Sequence, residues 1–196
     1  EHRQGRFVEE QRIALDSIRQ RCQSVVNADE FYKSLCLGGF EYGTLFRNKG
    51  DVYYGEDLRE AYSVVTVPEE LLPQLHDYHI HPVVLDYLMQ LVPVTVPHGF
   101  IARPGFPSRI GTITVMQPLQ SEMVVYLRAV TVGADDFEIC GCFTDKEGAV
   151  LIELKHVMIR FLGSRSRVVE EYFYHNTFNA ISLNSERPTF PRALVF

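Results

Sequence analysis

A chain of 196 residues, 46% hydrophobic and 22% charged, has globular composition and the length to bury a core. Lys and Arg number 19 against 25 Asp and Glu, a net charge of −6 with no basic stripe, which excludes a generic nucleic-acid binder. No apolar run approaches the ~20 residues of a membrane span, and the charged opening EHRQGRFVEE lacks a signal-peptide core. The chain begins without Met, so a piece of something longer is expected.

Residues 12–24 place Ile13, Leu15, Ile18 and Cys22 on one helical face. Asn27-Ala-Asp29 is a capping cluster, and a second helix runs from Glu30 to about Leu37, ending at Gly38-Gly39. Phe40 to Phe46 starts an extended region. Val52-Tyr-Tyr54 and Glu60 to Val67 are rich in β-branched and aromatic residues and read as strands. A short helical turn is predicted over Glu69–Leu75.

The sequence His76-Asp77-Tyr78-His79-Ile80-His81 invites a metal reading. No fixed element lies beneath it, so a polar loop before a helix, with no metal, is the expectation. Pro82 then opens a helix over Val83–Val92, since Pro suits the first helical position. Val84, Leu85, Leu88, Met89, Leu91 and Val92 cover most of its surface, which marks a buried helix. Asp86 and Gln90 are the polar exceptions, four apart on one face. A carboxylate among apolar side chains is costly unless paired or shifted in pKa, so this conflict marks a candidate site.

Beyond that helix the pattern is β. Val94–Ile101 is interrupted by Pro97 and Gly99, and Arg103–Ser108 reads as a loop. Strands are predicted near Arg109–Gln117, Met123–Val132, Phe137–Thr144 and Ala149–Phe161, with a hairpin turn at Asp145–Gly148. Cys22, Cys36, Cys140 and Cys142 are too few and scattered for a disulfide framework and read as thiols of a cytoplasmic protein. Residues 164–167 read as a linker, and Ala193–Phe196 as the first strand of a following domain. The fold class is α+β: a long buried helix wrapped by an antiparallel sheet, a hotdog.

Two segments carry a family resemblance. Gly39-Phe-Glu-Tyr42-Gly43-Thr44-Leu-Phe46, preceded by Phe31-Tyr32, resembles the G-x-x-Y-G-P-x-F motif of dehydratase domains in type I polyketide and fatty acid synthases. His81-Pro82-Val-Val-Leu85-Asp86-Tyr-Leu-Met-Gln90 resembles the H-P-x-x-L-D-x-x-x-Q/H motif of that family. The closing stretch, Glu147-Gly148 and Met158-Ile-Arg160, is also similar. Thr44 departs from the pattern, standing where the family has Pro, which points to a looser turn.

The resemblance implies one half of a double hotdog. Residues 1–10 would end the preceding unit, 11–163 would form the C-terminal hotdog, and 164–196 would lead into a reductase-like structural domain. It implies loss of water from a β-hydroxyacyl thioester, with Asp86 as the acid and Gln90 holding either Asp86 or the substrate hydroxyl. Tyr42, Gly43, Phe46, His81 and Leu85 would line the substrate site. The family's basic His lies in an H-x-x-x-G-x-x-x-x-P motif that this sequence lacks, so this chain alone is expected to be inactive.

No cofactor is implied in this domain, because the substrate rides on the phosphopantetheine of an acyl carrier protein. The implied partners are the N-terminal hotdog, that carrier protein, other synthase domains and a second copy in a homodimer, with no nucleic acid and no membrane. Three other readings stay open: a degenerate dehydratase kept for structure, a product-template cyclase, and a lone hotdog acting as a binding protein or thioesterase.

Overall fold

Period-two alternation of apolar residues builds most of the molecule. The computed structural model describes residues 11–55, 59–95, 105–133 and 136–161. Its strands are β1 (Ser24–Val26), β2 (Val52–Gly55), β3 (Glu60–Thr66), β4 (Gly105–Val115), β5 (Glu122–Val132), β6 (Asp136–Thr144) and β7 (Val150–Phe161). They form one antiparallel sheet in the order β1-β2-β3-β5-β6-β7-β4. The expectations for residues 1–10 and 164–196 lie outside the described residues.

The helices are α1 (Leu15–Arg21), α2 (Ala28–Leu37) and α3 (Pro82–Met89). Asn27 caps α2 through its side chain, which accepts the Glu30 N–H at 2.9 Å. On α3, Val84 and Leu88 are fully buried. They join one core with Val65, Met123, Val125, Leu127, Ile139 and Leu154 of the sheet. Burying a Leu or Val side chain in this way stabilises by roughly 1.5–3 kcal/mol each. The result is a helix seated on an antiparallel sheet, as the α+β expectation required.

Several boundaries differ from the sequence reading, each for a physical reason. The long helix is shorter: α3 ends at Met89, and the chain continues as a 3-10 turn over Val92–Thr95. Pro93 lacks a donor and disfavours helical geometry in the residue before it. The first helix stops at Arg21, because Val25 and Val26 pair with Tyr53 and Val52 as β1. Part of the expected 103–108 loop belongs to β4. Pro107 is tolerated there because β4 is the sheet edge, and the register shifts between Pro107 and Arg109.

The opposite sheet face carries a smaller cluster of Leu15, Ile18, Cys22, Tyr62 and Val124, which seats α1. Arg21 grips the buried Glu60 through Nε at 2.6 Å and a second nitrogen at 2.8 Å. The Tyr126 hydroxyl donates to the same carboxylate at 2.6 Å. These donors hold Glu60 below the usual glutamate range, the Arg21 hydrogen bond foremost. No helix among the described residues is long and apolar enough to cross a membrane.

Candidate active site

Pro82 starts α3, with His81 at its N-cap in extended conformation. The faces bearing Val84 and Leu88 point into the core, which leaves Asp86 and Gln90 toward the segment between α2 and β2. Gly39, at a φ of +92°, turns the chain out of α2, and the Phe40 N–H returns to the Leu35 carbonyl at 2.9 Å. The expected extended region instead tightens into a 3-10 turn over Thr44–Phe46. Arg47 Nε closes this loop by donating to the Tyr42 carbonyl at 2.9 Å. Thr44 is accommodated at the start of the turn.

The loop is pinned to the α3 segment by two hydrogen bonds to its carbonyls, and the same network reaches Asp86 and α2. Tyr87 donates its hydroxyl proton to the Leu45 carbonyl at 2.7 Å. Gln90 Nε2 donates to the Phe46 carbonyl at 2.9 Å and to Asp86 Oδ2 at 2.7 Å. The Tyr32 hydroxyl, from α2, donates to Gln90 Oε1 at 2.7 Å and accepts the Asn48 N–H at 2.6 Å. Asn48 in turn donates from Nδ2 to the Val64 carbonyl at 2.8 Å, tying the loop to β3. Both Gln90 amide protons are therefore committed, and its side chain is 2% exposed. It can hold Asp86; it has no donor left for a substrate hydroxyl.

Asp86 is half-buried with no cation against it among the described residues. Burial raises its carboxyl above the usual aspartate range, while the hydrogen bond from Gln90 acts the other way. Tyr42 and Tyr87 are each pushed up to about 12, by burial first and the Asp86 charge second. Tyr42 is half-buried and stacks on Phe40, with its ring edge-on to Tyr32. Oδ1 of Asp86 has no hydrogen-bond partner among the described residues. The site thus offers a carboxyl that burial shifts above the usual aspartate range, with one oxygen held and, among the described residues, one free.

The remaining predicted residues have surroundings of their own, and only Phe46 bonds to this pair, through its carbonyl. Leu85 lines an apolar groove of about 580 Å³ with Tyr78, His79, Ile80, Ile113 and Val115. Phe46 contributes its carbonyl to Gln90, and its side chain is 38% exposed. Gly43 leads into the 3-10 turn with open space at its Cα. His81 is buried in a T-shaped contact with Tyr78, and its Nδ1 has no hydrogen-bond partner among the described residues. Among the described residues no group of three His, Cys, Asp or Glu side chains could hold a metal. The sequence reading missed Tyr32, Asn48 and Tyr87. Only Tyr32 left a signal, as a hydroxyl on the buried face of α2 beside Phe31 and Leu35.

Comparison with known proteins supplies the family. Residues 10–167 match the family model described as the polyketide synthase dehydratase N-terminal domain. The polyketide synthase PksN of Bacillus subtilis (strain 168) is 24% identical over 176 residues, covering 82% of this chain and 3% of PksN. The highly reducing polyketide synthase NEC1 of Pyricularia oryzae is 33% identical over 85 residues, covering 40% of this chain and 3% of that synthase. Among solved structures, the dehydratase domain from the CurF module of the curacin polyketide synthase superposes with a TM-score of 0.70 at 23% identity, over 79% of this chain and 54% of that domain. A CurK dehydratase solved as an aspartate-to-asparagine inactive mutant gives 0.69 at 17%, over 80% of this chain and 55% of that one. The chain therefore spans about half of the solved dehydratases and a small part of the curated synthases. A helix on an antiparallel sheet, shared with solved dehydratases, and a family match over most of the sequence together place this chain in the polyketide synthase dehydratase family.

Proposed function

We propose that this chain is the acid-bearing C-terminal hotdog of a synthase dehydratase, and that Asp86 is its general acid. The carrying observation is the state of that carboxyl: half-buried, unpaired by any cation, and biased by burial toward the protonated form. The substrate is a β-hydroxyacyl thioester on the phosphopantetheine of an acyl carrier protein, and the domain needs no cofactor of its own. A base takes the Cα proton, and the electron pair left on Cα forms the Cα–Cβ double bond. The Cβ–O bond breaks as Asp86 passes its proton to the departing hydroxyl, which leaves as water. Asp86 remains as the carboxylate, and the proton held by the base restores it. Gln90 holds Asp86, while Tyr42, Gly43, Phe46, His81 and Leu85 border the acyl group.

The base belongs to a preceding hotdog unit. Two observations support that partner. This chain spans 54% of a solved dehydratase domain. The edge strand β4 also presents Phe106, Ile110, Ile113 and Val115, each at least 40% exposed, beside the groove that contains Leu85. The assignment to the second unit rests on the Asp86 motif rather than on the family's label. Other synthase domains and a second copy of the parent are further partners, and the location is cytoplasmic.

The test is dehydration of a β-hydroxyacyl-pantetheine thioester by the complete two-unit domain. Asp86→Ala lowers the rate by on the order of 10² to 10⁴ with the fold intact. Turnover unaffected by the substitution would remove Asp86 from the mechanism. Residues 1–196 alone give no turnover.

A further inference from the structure

The hydrogen-bond chain behind Asp86 has a direction, and each atom in it forces the next. A backbone N–H only donates, so at 2.6 Å the Tyr32 oxygen must accept from Asn48. The Tyr32 proton then has two acceptors in reach, Gln90 Oε1 at 2.7 Å and the Phe46 carbonyl at 3.5 Å, and the far shorter contact to Gln90 takes it. A backbone carbonyl only accepts, so the Gln90 atom 2.9 Å from the Phe46 oxygen must be nitrogen. The same nitrogen meets Asp86 Oδ2 at 2.7 Å. Oδ2 is thus always the acceptor of a donated proton.

We propose that Tyr32 is a positioning residue for proton delivery: its hydroxyl locks the Gln90 amide so that the transferable proton of Asp86 resides on Oδ1. This rests on Asp86 being the general acid. Oδ1 is the oxygen without a hydrogen-bond partner among the described residues, and so the one that can reach a leaving hydroxyl. Burial explains why the lock matters. Tyr32 and Gln90 are 7% and 2% exposed, and no solvent replaces a lost partner. Without the Tyr32 hydroxyl, Gln90 Oε1 is a buried acceptor left unpaired. The Phe46 carbonyl still keeps Nε2 on its own side, so a shift of the Gln90 side chain that brings Oε1 to another donor draws Nε2 away from Asp86 and loosens that donation. Burial also holds the Tyr32 phenol protonated across the working pH range. The charged and titratable groups facing this chain are Tyr42, Tyr87 and Arg47, whose guanidinium carbon lies 5.7 Å from the centre of the Tyr32 ring.

The test uses the complete dehydratase domain, the form in which relatives have been solved. Tyr32→Phe is compared with wild type alone and in a Gln90→Met background. Three readouts are taken: kcat against KM, the alkaline limb of the kcat profile, and the Asp86 titration by carbon-13 carboxyl resonance. Tyr32→Phe lowers kcat roughly tenfold or more with KM within about twofold, as expected for a misplaced reacting group. It moves the Asp86 midpoint and the alkaline limb to higher pH, because the donor favouring the ionised carboxyl is loosened. In the Gln90→Met background Tyr32→Phe has no further effect, since it acts only through that amide. An unmoved Asp86 midpoint, or an equal kcat loss in both backgrounds, overturns the proposal. If Gln90→Met does not fold, the titration of Tyr32→Phe alone decides. Absence of turnover in wild type would overturn the general-acid reading, whereas the titration needs no turnover and still decides the coupling.

Discussion

Gly141 tests whether the sheet positions the acid. It sits in β6, paired with Leu127 of β5 and Leu154 of β7, on the face that receives α3. A Cβ added there would stand 2.9 Å from Leu88 Cδ1 and 2.7 Å from the Tyr126 carbonyl oxygen. Relaxed carbon contacts lie near ~3.5–4.0 Å, so the Leu88 contact is short by roughly 0.6–1 Å. Neither neighbour yields easily: Leu88 is fully buried, and the Tyr126 oxygen is backbone. Overpacking of this kind costs about 1–3 kcal/mol. Replacing a strand glycine recovers up to ~1 kcal/mol of chain entropy, so Gly141→Ala is expected to destabilise by about 1–2 kcal/mol.

The assay is urea unfolding, where the midpoint falls and the slope stays constant. A functional consequence follows from position in the helix. Leu88 lies midway between Asp86 and Gln90, so lifting it by half an ångström moves the carboxyl. Activity in the complete domain should then fall more than the unfolded fraction explains. A Gly141→Ala protein with the wild-type urea midpoint would show that α3 does not rest on this glycine, and the steric reasoning would be wrong.

Three further perturbations probe the loop, the acid and the back of the sheet. Thr44→Pro suits a first turn position preceded by extended Gly43, at φ −70° and ψ 166°; the Thr44 N–H makes no hydrogen bond among the described residues. It should stabilise by about 0.4–1 kcal/mol, read as a raised thermal midpoint, and a lowered midpoint would contradict the turn geometry. Asp86→Asn removes a carboxyl whose folded pKa is raised. Such a group lends stability at low pH that is lost as pH rises through the folded value. The variant should therefore be more stable by about 0.5–2 kcal/mol near neutral pH, with the gain shrinking in acid; a gain that grows in acid would reverse the sign. Arg21→Met strands the buried Glu60. Breaking a buried pair costs ~3–5 kcal/mol, reduced here to about 2–3 because the Arg21 side chain is 42% exposed. Glu60 is held low, so that cost should fade as pH drops below 4.5, the ordinary glutamate value.

The core of the site was legible because it violates a pattern. A helix apolar nearly all round draws attention to its polar exceptions, and Asp86 and Gln90 prove to be bonded to each other at 2.7 Å. The later strands were legible because alternation over many residues is a strong signal. What stayed hidden depends on partners distant in sequence. Tyr32 reaches Gln90 across 58 positions, and Arg21 reaches Glu60 across 39. No local pattern announces such a contact; a Tyr on a helix face reads as packing until its hydroxyl is placed. Helix ends were misread where proline or β-branched residues overrode a continuing apolar pattern, as at Pro93 and at Val25-Val26.

The buried carboxylate of Glu60 and the half-buried carboxyl of Asp86 set out the difference between structure and chemistry. Glu60 is 2% exposed and receives two nitrogens of Arg21 and the hydroxyl of Tyr126, so its ionised form is favoured. Asp86 is less buried, yet receives one neutral amide and faces phenols that stay protonated, so burial moves its carboxyl above the usual aspartate range. A carboxylate this well matched has little reason to exchange its proton near neutral pH; its work is to fasten α1 to the sheet. A carboxyl left under-matched costs stability for as long as it is ionised, and a fold keeps such a cost where proton transfer requires it. Opposite displacement of the two acids, in one chain and on two faces of one sheet, is a second reason, beside the motif, for which we propose Asp86 as the reacting group.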